Sequence, residues 1–313
     1  MRIAVTMPIT SRGDVAAGVE GMRIFNAFLP SFLATAFPTA FPCAFEFWLA
    51  YDMGDALLDS VEGDAAMKRV FGARTRAVGR DMCGNHSSEC MSLQLRRFRH
   101  SHTLTALWNG LNEEAYRGGA HYIFMPNDDL LLETPGWPHA LLQSLAASPL
   151  YPNLGVTGPR DSVSGRGDMP SMPLIHRTHL DIFGGQSLPS SFQNWYNDVW
   201  LGNVYRPFAA CLLSATIRSR NHHGCTDPQK CSRYILGDGA LAPWREETIE
   251  ARARVIEWLR SPAGAAGLEH VLVNEPRLAT ESASAGSSPG SMVAAILEGT
   301  NLYELISAPI TLG

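Results

Sequence analysis

The strongest constraint in this chain is an alternation of apolar strand patterns with amphipathic helix patterns, recurring about four times in its first 160 or so residues. Arg2 to Pro8 reads as a buried strand that ends at Pro8 and the polar Thr10-Ser11-Arg12 turn. Val19 to Phe37 carries apolar residues at helical spacing, with Pro30 expected to kink or split it. Phe45 to Tyr51 is a second strand that runs into Asp52-Met53-Gly54-Asp55, and Ala56 to Phe71 is helical. Arg74 to His100 shows no clear period. Thr103 to Tyr116 is an amphipathic helix stopped by Gly118-Gly119. His121 to Met125 is a strand terminating at Pro126-Asn127-Asp128-Asp129, then Pro138 to Ala147 is helix and Leu154 to Thr157 strand.

This order predicts βαβ units on a largely parallel sheet, an α/β fold. Ligands of such sheets bind outside the carboxyl ends of the strands, where Asp52, Asp55, Asp128 and Asp129 all fall. The second half is less regular. Pro173 to His179 reads as a strand, Asn194 to Tyr205 as an aromatic-rich helix and Trp244 to Leu259 as a charged amphipathic helix. We read residues 1–275 as one domain, 276–291 as a flexible linker rich in Ala, Ser and Gly, and 292–313 as a C-terminal tail.

Composition excludes more than it identifies. With 25 basic and 30 acidic residues the net charge is −5, which argues against a nucleic-acid footprint. The short basic run Arg96 to His100 reads as a solvated face. No apolar run reaches the roughly 18 residues of a membrane span, because Pro30, Pro38 and Pro42 break the most apolar stretch. Of the six cysteines, Cys83 with Cys90 and Cys225 with Cys231 are spaced to close small disulfide loops. The first loop contains the N-glycosylation sequon Asn85-His86-Ser87, the mark of a glycoprotein. No signal peptide precedes Met1. The expected compartment is therefore the Golgi or secretory lumen if an N-terminal segment, including any membrane anchor, is missing from this chain, and the cytoplasm otherwise.

Asn127-Asp128-Asp129 carries the most chemical information. Two adjacent carboxylates at a strand end repel each other unless a positive group is near, and a divalent cation with a nucleotide diphosphate meets that demand. Alternation in an extended segment points the two apart. The plainer alternative is that they cap the following turn.

Taken together, MRIAVTMPITSR, FEFWLAYDMGD, HYIFMPNDD, LGVTGPRDS, PLIHRTHLDIFGG and SFQNWYNDVWLGNVY resemble, in order over roughly residues 1–235, a nucleotide-sugar glycosyltransferase of the GT-A fold. The nearest named group is a loosely characterised set of eukaryotic glycosyltransferase-like proteins. The resemblance implies a mixed, mainly parallel, Rossmann-like sheet flanked by helices. It implies transfer of a sugar from a nucleotide-diphosphate donor, a UDP-sugar, to a hydroxyl acceptor on a glycan, protein or small molecule, with Mn²⁺ or Mg²⁺.

Placed on this sequence, it assigns Pro8, Thr10 and Arg12 to the base and ribose, and Asp52 to the base. Asn127-Asp128-Asp129 takes the place of a DxD-type motif with Asn at its first position, Asp129 being the first metal ligand and Asp128 its helper. Asp198 becomes the catalytic carboxylate, either the base or the group that positions the acceptor; Trp195, Tyr196 and Trp200 beside it either wall it or are core packing on an amphipathic helix. His222 and His223 become further metal ligands, and Arg233 a diphosphate contact. A zinc site of Cys225, Cys231 and one histidine fits no familiar spacing. Two other readings stand beside this one: a nucleotidyltransferase, against which TMPITSRGD lacks the Gly-rich basic loop, and a non-catalytic sugar-binding or scaffold protein that kept the fold.

Overall fold

The computed structural model describes residues 1–12, 15–37, 43–83, 90–99, 103–161, 170–206, 208, 218–221 and 243–266, with the backbone alone at 77–83 and 218–221. Its strands are β1 Arg2–Pro8, β2 Ala44–Asp52, β3 Met91–Phe98, β4 Tyr122–Phe124, β5 Leu130–Leu132, β6 Val156–Thr157, β7 Arg160–Asp161, β8 Leu174–His176 and β9 Arg218–Asn221. The α-helices are α1 Leu29–Thr35, α2 Val61–Cys83, α3 Leu104–Arg117, α4 Trp137–Ala146, α5 Arg177–Ile182, α6 Asn197–Tyr205 and α7 Trp244–Arg260. The sequon, the 276–291 linker, the 292–313 tail and the Cys225 to Cys231 loop lie outside the described residues.

The main sheet has the order β3-β2-β1-β4-β8-β6. β3, β2, β1 and β4 are mutually parallel, and β8 is antiparallel to both β4 and β6. This is the mixed, mainly parallel sheet flanked by helices that the sequence implies. A smaller sheet of order β5-β9-β7 continues from the end of β4.

Both faces of the sheet are covered, as parallel strands require. Ile3, Val5 and Met7 of β1 face a core with Phe45, Phe47, Phe28, Phe32 and Trp137, whereas Ala4 faces a second core with Trp48, Leu111 and Ile123. Phe32, fully buried on α1, is the hub of the first core. Its ring centroid lies 5.0 Å from Phe45, 5.1 Å from Phe47 and 5.7 Å from both Phe28 and Trp137.

Several local outcomes differ from the sequence reading. Pro30 marks the split of the expected helix: it occupies the first turn of α1, directly after a π-turn. The part of the expected helix before it is instead a 3₁₀ turn over Val19–Gly21 and a π-turn over Ile24–Phe28, in which the Leu29 N–H reaches back to the Ile24 carbonyl. α2 runs on to Cys83, and β3 forms in the stretch that showed no period. The basic run sits on that edge strand: Arg96 pairs with Glu114 and lies 4.8 Å over the Trp48 ring, and Arg97 pairs with Asp59. Charges on an edge strand also discourage edge-to-edge association. Cys90 is disulfide-bonded. Among the described residues, no helix is long and apolar enough to cross a membrane.

A buried polar network locks the second core. His179 is buried, and its Nε2–H donates to the Ser187 carbonyl at 2.8 Å, so Nδ1 accepts from the Tyr205 hydroxyl at 2.7 Å. Asn109 and Asn112 of α3 bond to Ser187 from the other side. Burial pushes His179, and likewise His176 at the start of α5, down from 6.5 to about 4. Both are therefore neutral when folded and protonate more readily when unfolded. Their stabilising contribution is complete above pH 6.5 and is lost as pH falls toward 4. The thermal midpoint should fall steadily across that window, and His179→Gln should flatten the slope. A midpoint unchanged from pH 7 to 4.5 contradicts the assignment.

Candidate functional site

Strand order reverses beside β1: β2 and β3 are laid down on one side, and β4 on the other. The crevice at the carboxyl ends of β1 and β4 is therefore the topological switch point, where open α/β sheets bind ligands. The register pairs Val5 with Phe124, so the segments leaving these two strands, Ile9 to Arg12 and Met125 to Asp129, flank it. Asp52 closes β2 on the same edge, half-buried.

The first wall is fixed by Asp55. One carboxylate oxygen accepts the Ser11 N–H at 2.8 Å and the Thr10 hydroxyl at 3.1 Å, and the other accepts the Leu57 and Leu58 N–H groups at 3.1 Å each. Burial opposes its ionisation most strongly, but the bonds from Ser11, Leu58 and Leu57 outweigh it, and the carboxyl is held below its usual range. Asp55 is thus a brace inside the wall rather than a carboxylate offered to the crevice. Thr10 is engaged on both sides, since its oxygen also accepts the Arg12 N–H at 3.3 Å. Pro8 is buried at the end of β1 and shapes the turn, while Arg12 is exposed.

In the second wall the acidic pair parts. Asp128 is 2% exposed, whereas Asp129 sits at the lip, 3.7 Å from Nη1 of Arg23. Arg23 did not stand out in the sequence, because it is one cation inside an apolar stretch some hundred residues from its partner. The Asn127 N–H points to the Met172 sulfur at 3.3 Å. The following β5 is clamped to α1, with the Leu132 N–H donating to Ser31 Oγ at 3.1 Å.

The third contribution comes from α6. α3 runs antiparallel to β1: Trp108 Nε1 near its start donates to the Thr6 carbonyl at 3.2 Å, while Arg2 reaches the Gly118 carbonyl past its end. Its first turn therefore lies at the carboxyl edge of the sheet. There Leu104 N–H bonds to Asn194 Oδ1 at 2.8 Å, and Thr105 bonds to Asn197. Asp198, next in the first turn of α6, is thereby carried to the same edge, and its Oδ1 accepts the Val199 N–H at 2.9 Å.

Of the two readings of the aromatics beside Asp198, Trp200 follows core packing. Trp200, two residues on, turns to the other side of the helix and packs with Phe183, Phe192 and His179 in the core. Tyr196 stacks on Trp244 at 6.0 Å, and Trp195 is 57% exposed. His222, His223 and Arg233 lie outside the described residues. β9 ends at Asn221, which pairs with Leu130, the residue after Asp129.

Among the described residues no three His, Cys, Asp or Glu side chains converge to hold a metal alone. Asp129 at the lip does fit a hard cation that takes one or two carboxylates and completes its shell with phosphate oxygens and water.

No protein-family model matches this sequence, and no curated protein matches it. Solved structures are similar in fold. One is S. aureus TarS, residues 1–349 in complex with UDP, at 11% identity over 90% of this chain and 72% of that one, with a TM-score of 0.44. Another is GalNAc-T7 with UDP, GalNAc and Mn²⁺, at 10% identity over 98% of this chain and 57% of that one, with a TM-score of 0.47.

Proposed function

We propose that this chain is a GT-A type glycosyltransferase that moves a sugar from a nucleotide-diphosphate donor, a UDP-sugar, to a hydroxyl acceptor. The observation that carries the proposal is the switch-point crevice, with a braced turn on one wall and Asp129 at the lip of the other. The Thr10 to Arg12 turn and Asp52 hold the nucleoside on the β1 and β2 side, and Asn127 takes a ribose hydroxyl. Asp129, with Asp128 and with His222 and His223, would hold a divalent cation, and Arg233 would meet the diphosphate. A cation bound there neutralises the diphosphate as it leaves.

Asp198 takes the proton of the acceptor hydroxyl. The acceptor oxygen then bonds to the anomeric carbon while the bond from that carbon to the diphosphate breaks. Asp198 is suited to this by its place on the crevice edge, and the positive end of α6 favours a carboxylate there.

Calorimetric titration of UDP with and without Mn²⁺ tests the donor site. The full chain should bind UDP more tightly with Mn²⁺, and Asp129→Ala should remove that gain. Absence of UDP binding under either condition overturns the donor reading, and an Asp129→Ala titration like that of the unaltered protein overturns the metal site.

A further inference from the structure

We infer that Arg23 is a donor-diphosphate residue that Asp129 holds in place until the nucleotide arrives. The inference rests on the donor reading above and extends it to a residue with no assigned role.

The backbone of Arg23 is fixed by its neighbours. Met22, Ile24 and Phe25 are at most 1% exposed, all anchored in the first core. The side chain consequently projects to the same lip as Asp129, and each retains about a fifth of its surface, 20% for Arg23 and 18% for Asp129. The Nη1 to Oδ2 separation of 3.7 Å is close enough for charge attraction but longer than an N–H···O hydrogen bond. The guanidinium is therefore held beside the carboxylate by charge attraction at that atom pair. A planar guanidinium fork matches phosphate oxygens as well as it matches carboxylate.

Two cations cannot both be neutralised by Asp129. A divalent cation arriving alone meets the charge of Arg23, which weakens its binding. A nucleoside diphosphate removes the conflict, because it supplies oxygens to both: Asp129 turns to the cation and Arg23 to the diphosphate. Cation and diphosphate then bind cooperatively, and by linkage each strengthens the other by the same factor. A nucleoside monophosphate, one phosphate short, does not span the two.

The test is calorimetry on the full chain and on Arg23→Gln and Arg23→Lys, titrating Mn²⁺ alone, then UDP and UMP in saturating Mn²⁺. Arg23→Gln should bind Mn²⁺ alone more tightly. It should also lose about ten- to a hundredfold in UDP affinity, the scale of hydrogen bonds to a charged group, with UMP affinity unchanged. Arg23→Lys should keep the weak Mn²⁺ binding of the unaltered protein and recover part of the UDP affinity. Unchanged Mn²⁺ and UDP affinities in Arg23→Gln, with the unaltered protein binding UDP, overturn the role of Arg23 and leave the donor reading standing. Equal losses for UDP and UMP also overturn it. An unaltered protein that binds no UDP overturns the donor reading itself.

Discussion

Asp198→Asn should lower turnover by about 10²- to 10⁴-fold, the range over which a positioned general base acts. UDP affinity should be unchanged, because no donor contact is assigned to this residue. The substitution conserves shape and keeps an oxygen for the Val199 N–H, so α6 should still begin as it does now. Circular dichroism and UDP titration control for folding, and single-turnover transfer supplies the readout. A loss below tenfold assigns Asp198 to helix capping, the role that many first-turn carboxylates have.

Phe32→Ala carries the largest stability effect we expect. The ring is fully buried among five aromatic partners, and truncation leaves a void that these rigid neighbours fill poorly. The expected loss is about 3–5 kcal/mol. For a chain of this size that corresponds to a thermal midpoint lower by on the order of 10 °C. The same substitution should weaken UDP binding with Mn²⁺, because α1 holds β5 through Ser31 and the start of α4 through the bond from the Gly136 N–H to the Thr35 carbonyl. Asp129 immediately precedes β5. Phe32→Leu fills most of the void and should lose much less. A midpoint within 2 °C of the unaltered protein, about 1 kcal/mol, contradicts the hub role.

How much of this was legible in the sequence depends on how local the signal was. β1, β2, β4 and α3 stood out because apolar runs and caps declare themselves within a dozen residues; Thr103 even caps α3 through the Ala106 N–H. β3 alternates Met91, Leu93 and Leu95 with polar residues, yet as a half-buried edge strand its basic and cysteine-containing surroundings obscured the period. β5 and β7, three and two residues long, follow polar turns and lack the longer apolar run that marks β4.

The site was legible as carboxylates at strand ends but not as partnerships. Asp55 and Asp129 look alike in sequence. One is turned inward to four donors and the other meets Arg23, a difference set by tertiary packing alone. Trp200 likewise looked available beside Asp198 until the helical rotation between them was fixed.

The π-turn over Ile24–Phe28 has a consequence for how this chain can change by insertion or deletion. Such a turn accommodates one residue more than an α-turn, so losing a residue there can convert it to regular helix without disturbing α1. Both flanks then keep their orientation, because a π-turn with its extra residue carries the chain through nearly the same angle as an α-turn without it. The core on α1 and the guanidinium of Arg23 would both stay where they are. A single codon can therefore be lost at this point with less displacement of the crevice lip than at any position in the regular helix that follows.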